Sequence, residues 1–478
     1  MSAMRHALPL LALLFACDPQ PAATPAPPKP VVAEAPKPQG PPAVQGEPNV
    51  ILIIVDSLRW DATGLSGSKA GLTPNIDKFG AGATVFTQAT AAAPWTVPAT
   101  LSIFTGRFPS SHGMVNKLAQ GTGDPADGAT VEASLSPDVP TWPESLIAKG
   151  YTAAAFTGGA GVSGRFGYNR GYSVYLDDSK FAGMDYSLPP ALAWLDQNKD
   201  SRFFLFVHGY DVHGQHPLVD QTPRAAVPDY QGALDGGIEE QAKLREMGLA
   251  AIVNPGDPAR LEGLSPEDIR FLKAVYDAKV KEADARVGKL LDHLATTGLL
   301  DKSVVIVAAD HGEEFMEHGY IDHGATVCEH QTHVPLIIRF PGDPTPRTIT
   351  TPVRTLDIFP TAFDYLGVKG PEGAQGKSLL PLLRGEGGDY PIFSESDYRL
   401  FVHLRAYRKG DQKFVLDLED SEKRLYNLKS DPGETADTSA AEARAAYEME
   451  QALRTWMGEQ KTDPATYLGV REQHIKIF

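Results

Sequence analysis

A chain of 478 residues, 42% hydrophobic and 22% charged, has an ordinary globular composition and room for one large α/β body plus an appendage. Its net charge of -16 argues against a nucleic-acid-binding surface, which needs clustered Lys and Arg. An anionic substrate stays open, because a metal ion and histidines can make a locally positive pocket.

The chain starts with a pattern of export. Arg5 supplies a positive charge, and Leu8-Pro9-Leu10-Leu11-Ala12-Leu13-Leu14-Phe15 is an apolar run too short to span a bilayer as a stable helix. Leu14-Phe15-Ala16-Cys17 resembles a bacterial lipobox, so residues 1–17 read as a lipoprotein signal with Cys17 as the lipidated residue. The alternative is an ordinary cleaved signal with an incidental cysteine. With Cys17 lipidated, only Cys328 remains of the two cysteines and no intrachain disulfide can form. Residues 18–48 are rich in Pro and Ala, cannot bury enough apolar surface to fold, and read as an extended tether. These features predict a protein lipid-anchored in a bacterial envelope.

Folded structure is expected from Asn49. Val50-Ile51-Leu52-Ile53-Ile54-Val55 is a continuous apolar run, as expected of a strand buried on both faces. Similar runs recur at Phe203–Val207, Ser303–Val307 and Val334–Ile338. A long helix is expected over about Pro266 to Leu294, where Val280, Ala283, Val287, Leu290, Leu291 and Leu294 form one stripe. Strands alternating with helices predict an α/β fold, a mostly parallel sheet with ligands beyond the carboxyl ends of its strands. Residues 214–265 lack clear periodicity and read as an insertion over the site. Gly158 to Gly164 reads as a flexible loop without a phosphate-cradling pattern. After about Tyr390 short strand-like pieces such as Lys413–Leu418 predict a small antiparallel subdomain. The expected divisions are therefore 49–390, catalytic, and 391–478, the smaller subdomain.

Polar residues with chemical capacity follow the buried runs. Asp56 ends the first, where a carboxylate projects into the crevice or caps a helix. Asp310 and His311 end the third, and His208-Gly209-Tyr210-Asp211-Val212-His213 follows the second. Thr96-Val97-Pro98-Ala99-Thr100 leads to Thr105-Gly106-Arg107.

That last segment resembles the nucleophile region of the sulfatase family, in which Cys or Ser, then x-Pro-x-Arg, precedes Thr-Gly-Arg. Thr73-Pro74-Asn75-Ile76-Asp77, Asp310-His311-Gly312-Glu313, Asp357-Ile358-Phe359-Pro360-Thr361 and Leu425-Tyr426-Asn427-Leu428 are similar to further landmarks, so the resemblance runs nearly from Asn49 to the C-terminus. It implies an alkaline-phosphatase/sulfatase-like fold and a metal-dependent ester hydrolase. Asp56, Thr96, Asp310 and His311 are the metal ligands it implies, with Ser57 in place of a further aspartate. It also implies roles for His213 in leaving-group protonation or anion binding, for His323 facing the anion, and for Arg107 in buttressing the nucleophile. His208 is expected to be structural, as are His330 and His333, while His318 and Arg59 are left open. A second metal on Asp211, His213 and His323 is the alternative to a single ion.

The departures from the family pattern are informative. Family sulfatases turn the Cys or Ser into a formylglycine aldehyde, which a threonine cannot become. Thr100 stands where the family has the Arg that helps hold the aldehyde hydrate. The expectation is one divalent ion (Zn²⁺, Mn²⁺ or Ca²⁺), no formylglycine, and a threonine alkoxide nucleophile. Threonine is the nucleophile in related nucleotide phosphodiesterases and phosphoethanolamine transferases, which favours phosphate or phosphonate esters. A sulfatase with unmodified Thr96, an envelope phospho-headgroup transferase and a non-catalytic binding lipoprotein are the alternatives.

Overall fold

The computed structural model describes residues 40–42, 46–120, 130–253, 264–388, 390–400 and 402–460. The expected signal, Cys17 and most of the 18–48 tether lie outside the described residues, as does the C-terminus beyond 460.

The main sheet has nine strands. In chain order they are β1 (Asn49–Val55), β2 (Thr84–Thr90), β3 (Thr152–Phe156), β4 (Val174–Leu176), β5 (Phe203–Gly209), β6 (Ser303–Ala308), β7 (His333–Arg339), β8 (Arg347–Ile349) and β9 (Val353–Arg354). Their spatial order is β8-β2-β7-β6-β1-β5-β3-β4, with β9 also on β2. All pairings are parallel except those of β7, which runs antiparallel to β2 and β6. The chain leaves β6 at its carboxyl end and re-enters β7 with Leu336 opposite Ala308, so it returns from the same edge.

Side chains alternate across the central strand. Val50, Leu52 and Ile54 enter one core layer, and Ile51, Ile53 and Val55 the other. All are essentially inaccessible to solvent, which is why this strand reads as an unbroken apolar run. Helix α1 (Thr96–Thr105) covers the first face through Val97, Leu101 and Phe104. Helices α2 (Met184–Asn198) and α3 (Pro266–Thr296) cover the second, α3 through the whole stripe read from the sequence. The described part of 214–265, residues 214–253 and 264–265, has more regular structure than its patterning implies, with helices Pro223–Ala226 and Ile238–Val253.

The C-terminal sheet is antiparallel, β10 (Ile392–Ser396), β11 (Leu404–Lys409), β12 (Gln412–Asp417) and β13 (Lys423–Asn427) in that order. Helix α4 (Ala443–Gly458) packs Met449, Leu453 and Trp456 onto it, with Trp456 stacked 4.2 Å from Phe393 between ring centroids. A buried charge cluster joins this sheet to the segment before β7. Lys413 Nζ lies 2.9 Å from Glu329 and 3.0 Å from Glu434. Burial opposes ionisation of Glu329, but Lys413, His333 and Arg408 outweigh it and hold the carboxyl at about 2. Its contribution to stability is therefore complete above the ordinary value of 4.5 and lost as the pH falls toward 2. Replacing Lys413 by Met strands two buried carboxylates, and about 3–5 kcal/mol of unfolding free energy should be lost. Urea unfolding at neutral pH measures this; a loss below about 1 kcal/mol would contradict the assignment.

Candidate active site

The register of the main sheet assembles the site. Ile54 of β1 pairs with Ala308 of β6 on one side and His208 of β5 on the other. One alternation step beyond Ile54 and Ala308 come Asp56 and Asp310, so two carboxylates and the His208 imidazole emerge on one face. Their ligand atoms lie within 4.8 Å of one another, and all three residues are fully buried. The N-terminus of α1 lies above them. Thr96 and Thr100, one helical turn apart, share the face turned to the strand ends. Thr96 Oγ1 lies 3.1 Å from Asp56 Oδ2 and 3.3 Å from His311 Nε2, while Thr100 Oγ1 donates to Asp310 Oδ2 at 3.0 Å. The Thr96 hydroxyl proton thus faces two candidate bases.

Ser57, which reads in the sequence as a lost ligand, is a buttress. Its hydroxyl donates to Asp56 Oδ1 at 2.9 Å. Its φ of 62° is left-handed, a costly conformation for a residue with a Cβ, and Tyr276 braces it by donating to the Ser57 carbonyl at 2.9 Å.

Hydrogen bonds at the far nitrogens fix how the histidines face the site. His311 Nδ1 donates to the Gly312 carbonyl at 2.8 Å, which turns Nε2 toward Thr96. His213 Nδ1 accepts from the Gln215 amide at 3.0 Å, so the neutral ring carries its proton on Nε2. Burial pushes His213 well below the ordinary imidazole value and keeps it neutral. His323 behaves oppositely. Burial disfavours its charge, yet Asp322 at 3.1 Å and Glu313 at 3.2 Å outweigh it and raise the imidazole to about 9. Its ring centroid lies 4.3 Å from that of His311 and 4.8 Å from that of His213.

The donor set fits a divalent cation. Burial and the charge of Asp56 raise Asp310 to about 6, and the groups that offset the pair are imidazoles. Neither nitrogen of the buried His208 has a hydrogen-bond partner, although Nε2 is 3.5 Å from Asp56 Oδ2. Such an imidazole is available as a ligand. His208, expected to be structural, lies with Asp56 and Asp310 in one group that could hold an ion, with His311 beside it; the signal was its place one alternation step after Phe204 and Phe206.

Other expected residues go elsewhere. Arg107 lies eleven residues along from Thr96, past the other end of α1 and about 16 Å away at helical rise. Its guanidinium donates to the Glu372 carbonyl at 2.6 Å and does not buttress the nucleophile. Asp211 accepts from the Met184 amide at 2.8 Å and faces Arg286, so the grouping Asp211, His213 and His323 does not form. Arg59 braces loops, at 2.6 Å from Asp61 and 2.7 Å from Glu317. His333 stacks on Trp60, and His318 and His330 form a separate cluster.

Thr96, His213 and His323 line a cavity of about 810 Å³. Lys117, Arg165, Arg245 and Arg399 also line it, against only Glu132 and Glu246, so the local balance is positive in an acidic protein. Trp95, Phe166, Phe181 and Tyr398 supply flat apolar surface. These residues come from segments far apart in the chain, with no contiguous motif. From the glycine loop, a Cβ on Gly161 would lie 3.0 Å from Thr96 Cγ2, so the loop packs directly on the threonine methyl.

Comparison with known proteins agrees with this geometry. The sulfatase family model matches residues 48–368, and a model described as the C-terminal region of N-sulphoglucosamine sulphohydrolase matches residues 316–462. Arylsulfatase K of Rattus norvegicus is 24% identical over 471 residues, 90% of this chain and 81% of that protein. The Xenopus laevis protein is 28% identical over 220 residues, and that match spans 43% of this chain and 41% of the relative. Among solved structures, a 2-O GAG sulfatase superposes with a TM-score of 0.68 at 20% identity, covering 88% of this chain and 96% of that one. The phosphonate monoester hydrolase of Agrobacterium radiobacter gives 0.66 at 20% identity, covering 86% and 95%. At these identities the superpositions establish the fold.

The Thr100→Val substitution removes the hydroxyl that orients Asp310 and keeps the side-chain shape. Affinity for a divalent ion, measured by chelator competition, should fall about 10–100-fold. Unchanged affinity would show that Asp310 is not held for a metal through Thr100.

Proposed function

This chain belongs to the sulfatase family, and we propose that it hydrolyses anionic esters with unmodified Thr96 as nucleophile, phosphate or phosphonate esters first. The observation that carries the reading is the placing of Thr96 Oγ1 beside both Asp56 and His311, at a helix N-terminus lining the positive cavity. A divalent cation held by Asp56, His208, Asp310 and His311 would supply positive charge that lowers the hydroxyl pKa and stabilises anionic oxygens.

The side chains supply the rest. Thr96 gives its proton to Asp56 Oδ2, to which its hydroxyl already donates at 3.1 Å, and attacks phosphorus in line. The bond to the leaving oxygen breaks, and the His323 imidazolium protonates that oxygen. His213, being neutral, serves as a hydrogen-bond donor to an oxygen of the anion and not as the acid. His323, now neutral, takes a proton from the water that attacks phosphorus; the bond from phosphorus to Thr96 Oγ1 breaks, and that oxygen takes its proton back from Asp56, which restores all three groups. Pro98 brings no N–H and the Ala99 amide donates to the Trp95 carbonyl, so it is the Thr96 and Val97 amides at the start of α1 that favour the negative charge.

A sulfate ester is the second reading, favoured by the arylsulfatase K relatives and the GAG sulfatase neighbour. The phosphonate monoester hydrolase neighbour accords with the first. In either case the basic and aromatic cavity suits an extended anionic substrate. We further propose that Cys17 anchors the protein in a bacterial envelope and that residues 18–48 hold the catalytic body off the membrane. No helix among the described residues is long and apolar enough to cross a membrane.

Thr96→Ala should lower turnover by at least about 10³-fold, whereas Thr96→Ser should retain much of it. Parallel assays with bis-nitrophenyl phosphate, a phenylphosphonate ester and nitrophenyl sulfate distinguish the two readings. Sulfate preferred by several orders of magnitude would overturn the first, and an undiminished Thr96→Ala variant would overturn both. Because the His323 value is raised to about 9, its charge is present below that pH and lost above it. The wild-type kcat/KM should therefore fall as pH rises through about 9. The His323→Gln variant should be slower and lack that limb; an unchanged pH profile would remove His323 as the acid.

A further inference from the structure

A second set of ligand-type side chains lies away from Thr96. Cys328, His318 and His330 place one donor atom each within 4.8 Å of one another. Cys328 precedes the helical turn Glu329–Thr332, which carries His330, and His318 lies on the turn between the paired strands Glu314–Phe315 and Ile321–Asp322. The far nitrogen of His318 is engaged, since Nε2 donates to the Gly433 carbonyl at 3.0 Å. That bond leaves Nδ1 with its lone pair toward the cluster, as the outer hydrogen bond does for a ligating histidine. The Nδ1 atoms of both His318 and His330 are buried and have no hydrogen-bond partner. The two rings lie 5.6 Å apart between centroids.

A fourth donor is close by. The buried Glu314 carboxylate lies 3.4 Å from Cys328 Sγ and 3.5 Å from His318 Nδ1. One thiol, two imidazoles and one carboxylate select a borderline-soft ion such as Zn²⁺ over Ca²⁺ or Mg²⁺. Donors around tetrahedral zinc stand about 3.5 Å apart, so small side-chain rotations would close the set. A cavity of about 210 Å³, lined by His318, Tyr320, Thr326 and Cys328, provides an approach.

We propose that Cys328, His318 and His330, with Glu314 beside them, form a structural site for a zinc-class ion, separate from the catalytic cation. Binding replaces the Cys328 S–H bond with a sulfur–metal bond and releases the proton to solvent. The ion ties the Glu314–Asp322 hairpin to the segment before β7. His323 and its partners Glu313 and Asp322 sit on or beside that hairpin, so occupancy orders the segment that presents the acid to the cavity.

Cobalt(II) titration of the full chain reads this site by its thiolate. A Cys17→Ser background leaves Cys328 as the one thiol of the chain's two cysteines. The expected result is a near-ultraviolet sulfur-to-cobalt charge-transfer band that saturates at one equivalent. The band should persist in Asp310→Ala, which disables the catalytic site, and vanish in Cys328→Ser. Its absence from the wild type, or its survival in Cys328→Ser, overturns the proposal. The second measurement is thermal unfolding of Asp310→Ala with and without Zn²⁺. A rise in Tm that is lost on adding His330→Ala supports the site, and a Tm that ignores zinc overturns it. Neither readout depends on turnover, so a failed Thr96 mechanism would leave both intact.

Discussion

Two fully buried carboxylates that face each other shape everything else in this protein. Asp56 and Asp310 end neighbouring parallel strands, and the strand order leaves no freedom to separate them. Like charges at that distance cannot both ionise without compensation, as the rise of Asp310 to about 6 reflects. Imidazoles surround the pair, and an imidazole is a ligand as readily as a counter-charge. The buried His208 suits both roles: its Nε2 lies 3.5 Å from Asp56 Oδ2, and neither nitrogen makes a closer hydrogen bond. Thr100 and Ser57 then hold the two carboxylates in orientation, a second layer of polar contacts with no need of charge.

The same economy separates the histidines that face the cavity. His213 and His323 are neighbours with rings 4.8 Å apart, yet burial pushes one well below the ordinary imidazole value while Asp322 and Glu313 raise the other to about 9. The difference comes from what each far nitrogen meets: a backbone amide for His213, two carboxylates for His323. Two like rings thereby acquire unlike tasks without any difference in residue type. Such a division matters more for a threonine ester than for an aldehyde hydrate. The hydrate can expel its anion by collapsing to the aldehyde, whereas a threonine ester must wait for water, and that water needs a base.

Much of this architecture was legible in the chain, and the failures share a cause. The buried strands stood out because burial on both faces leaves no room for polar residues, and Asp56 and Asp310 stood out as the first polar residues after such runs. His208 was missed because its role depends on strand register: only the pairing of Ile54 with His208 puts the imidazole beside Asp56. Arg107 was misplaced because nearness in a motif is not nearness in space, and a helix carries it away from Thr96. The reversed direction of β7 follows from where the chain re-enters the sheet. The basic cavity was invisible because Lys117, Arg165, Arg245 and Arg399 come from segments far apart in the chain and the net charge is acidic.

The methyl group of Thr96 first reads as the feature that bars an aldehyde. In the folded protein it has a positive role. Gly161 would place a Cβ 3.0 Å from both Cβ and Cγ2 of Thr96, so the loop lies as close to that side chain as a glycine permits. Tyr210 holds the loop there, accepting from the Gly161 amide at 2.9 Å and donating to the Gly159 carbonyl at 3.2 Å. A β-branched side chain has few χ1 choices, and contact on the methyl narrows them further. With the methyl seated, the hydroxyl has one direction left, toward Asp56 and His311. The packing therefore presents the one Thr96 oxygen in one orientation, toward Asp56 and His311.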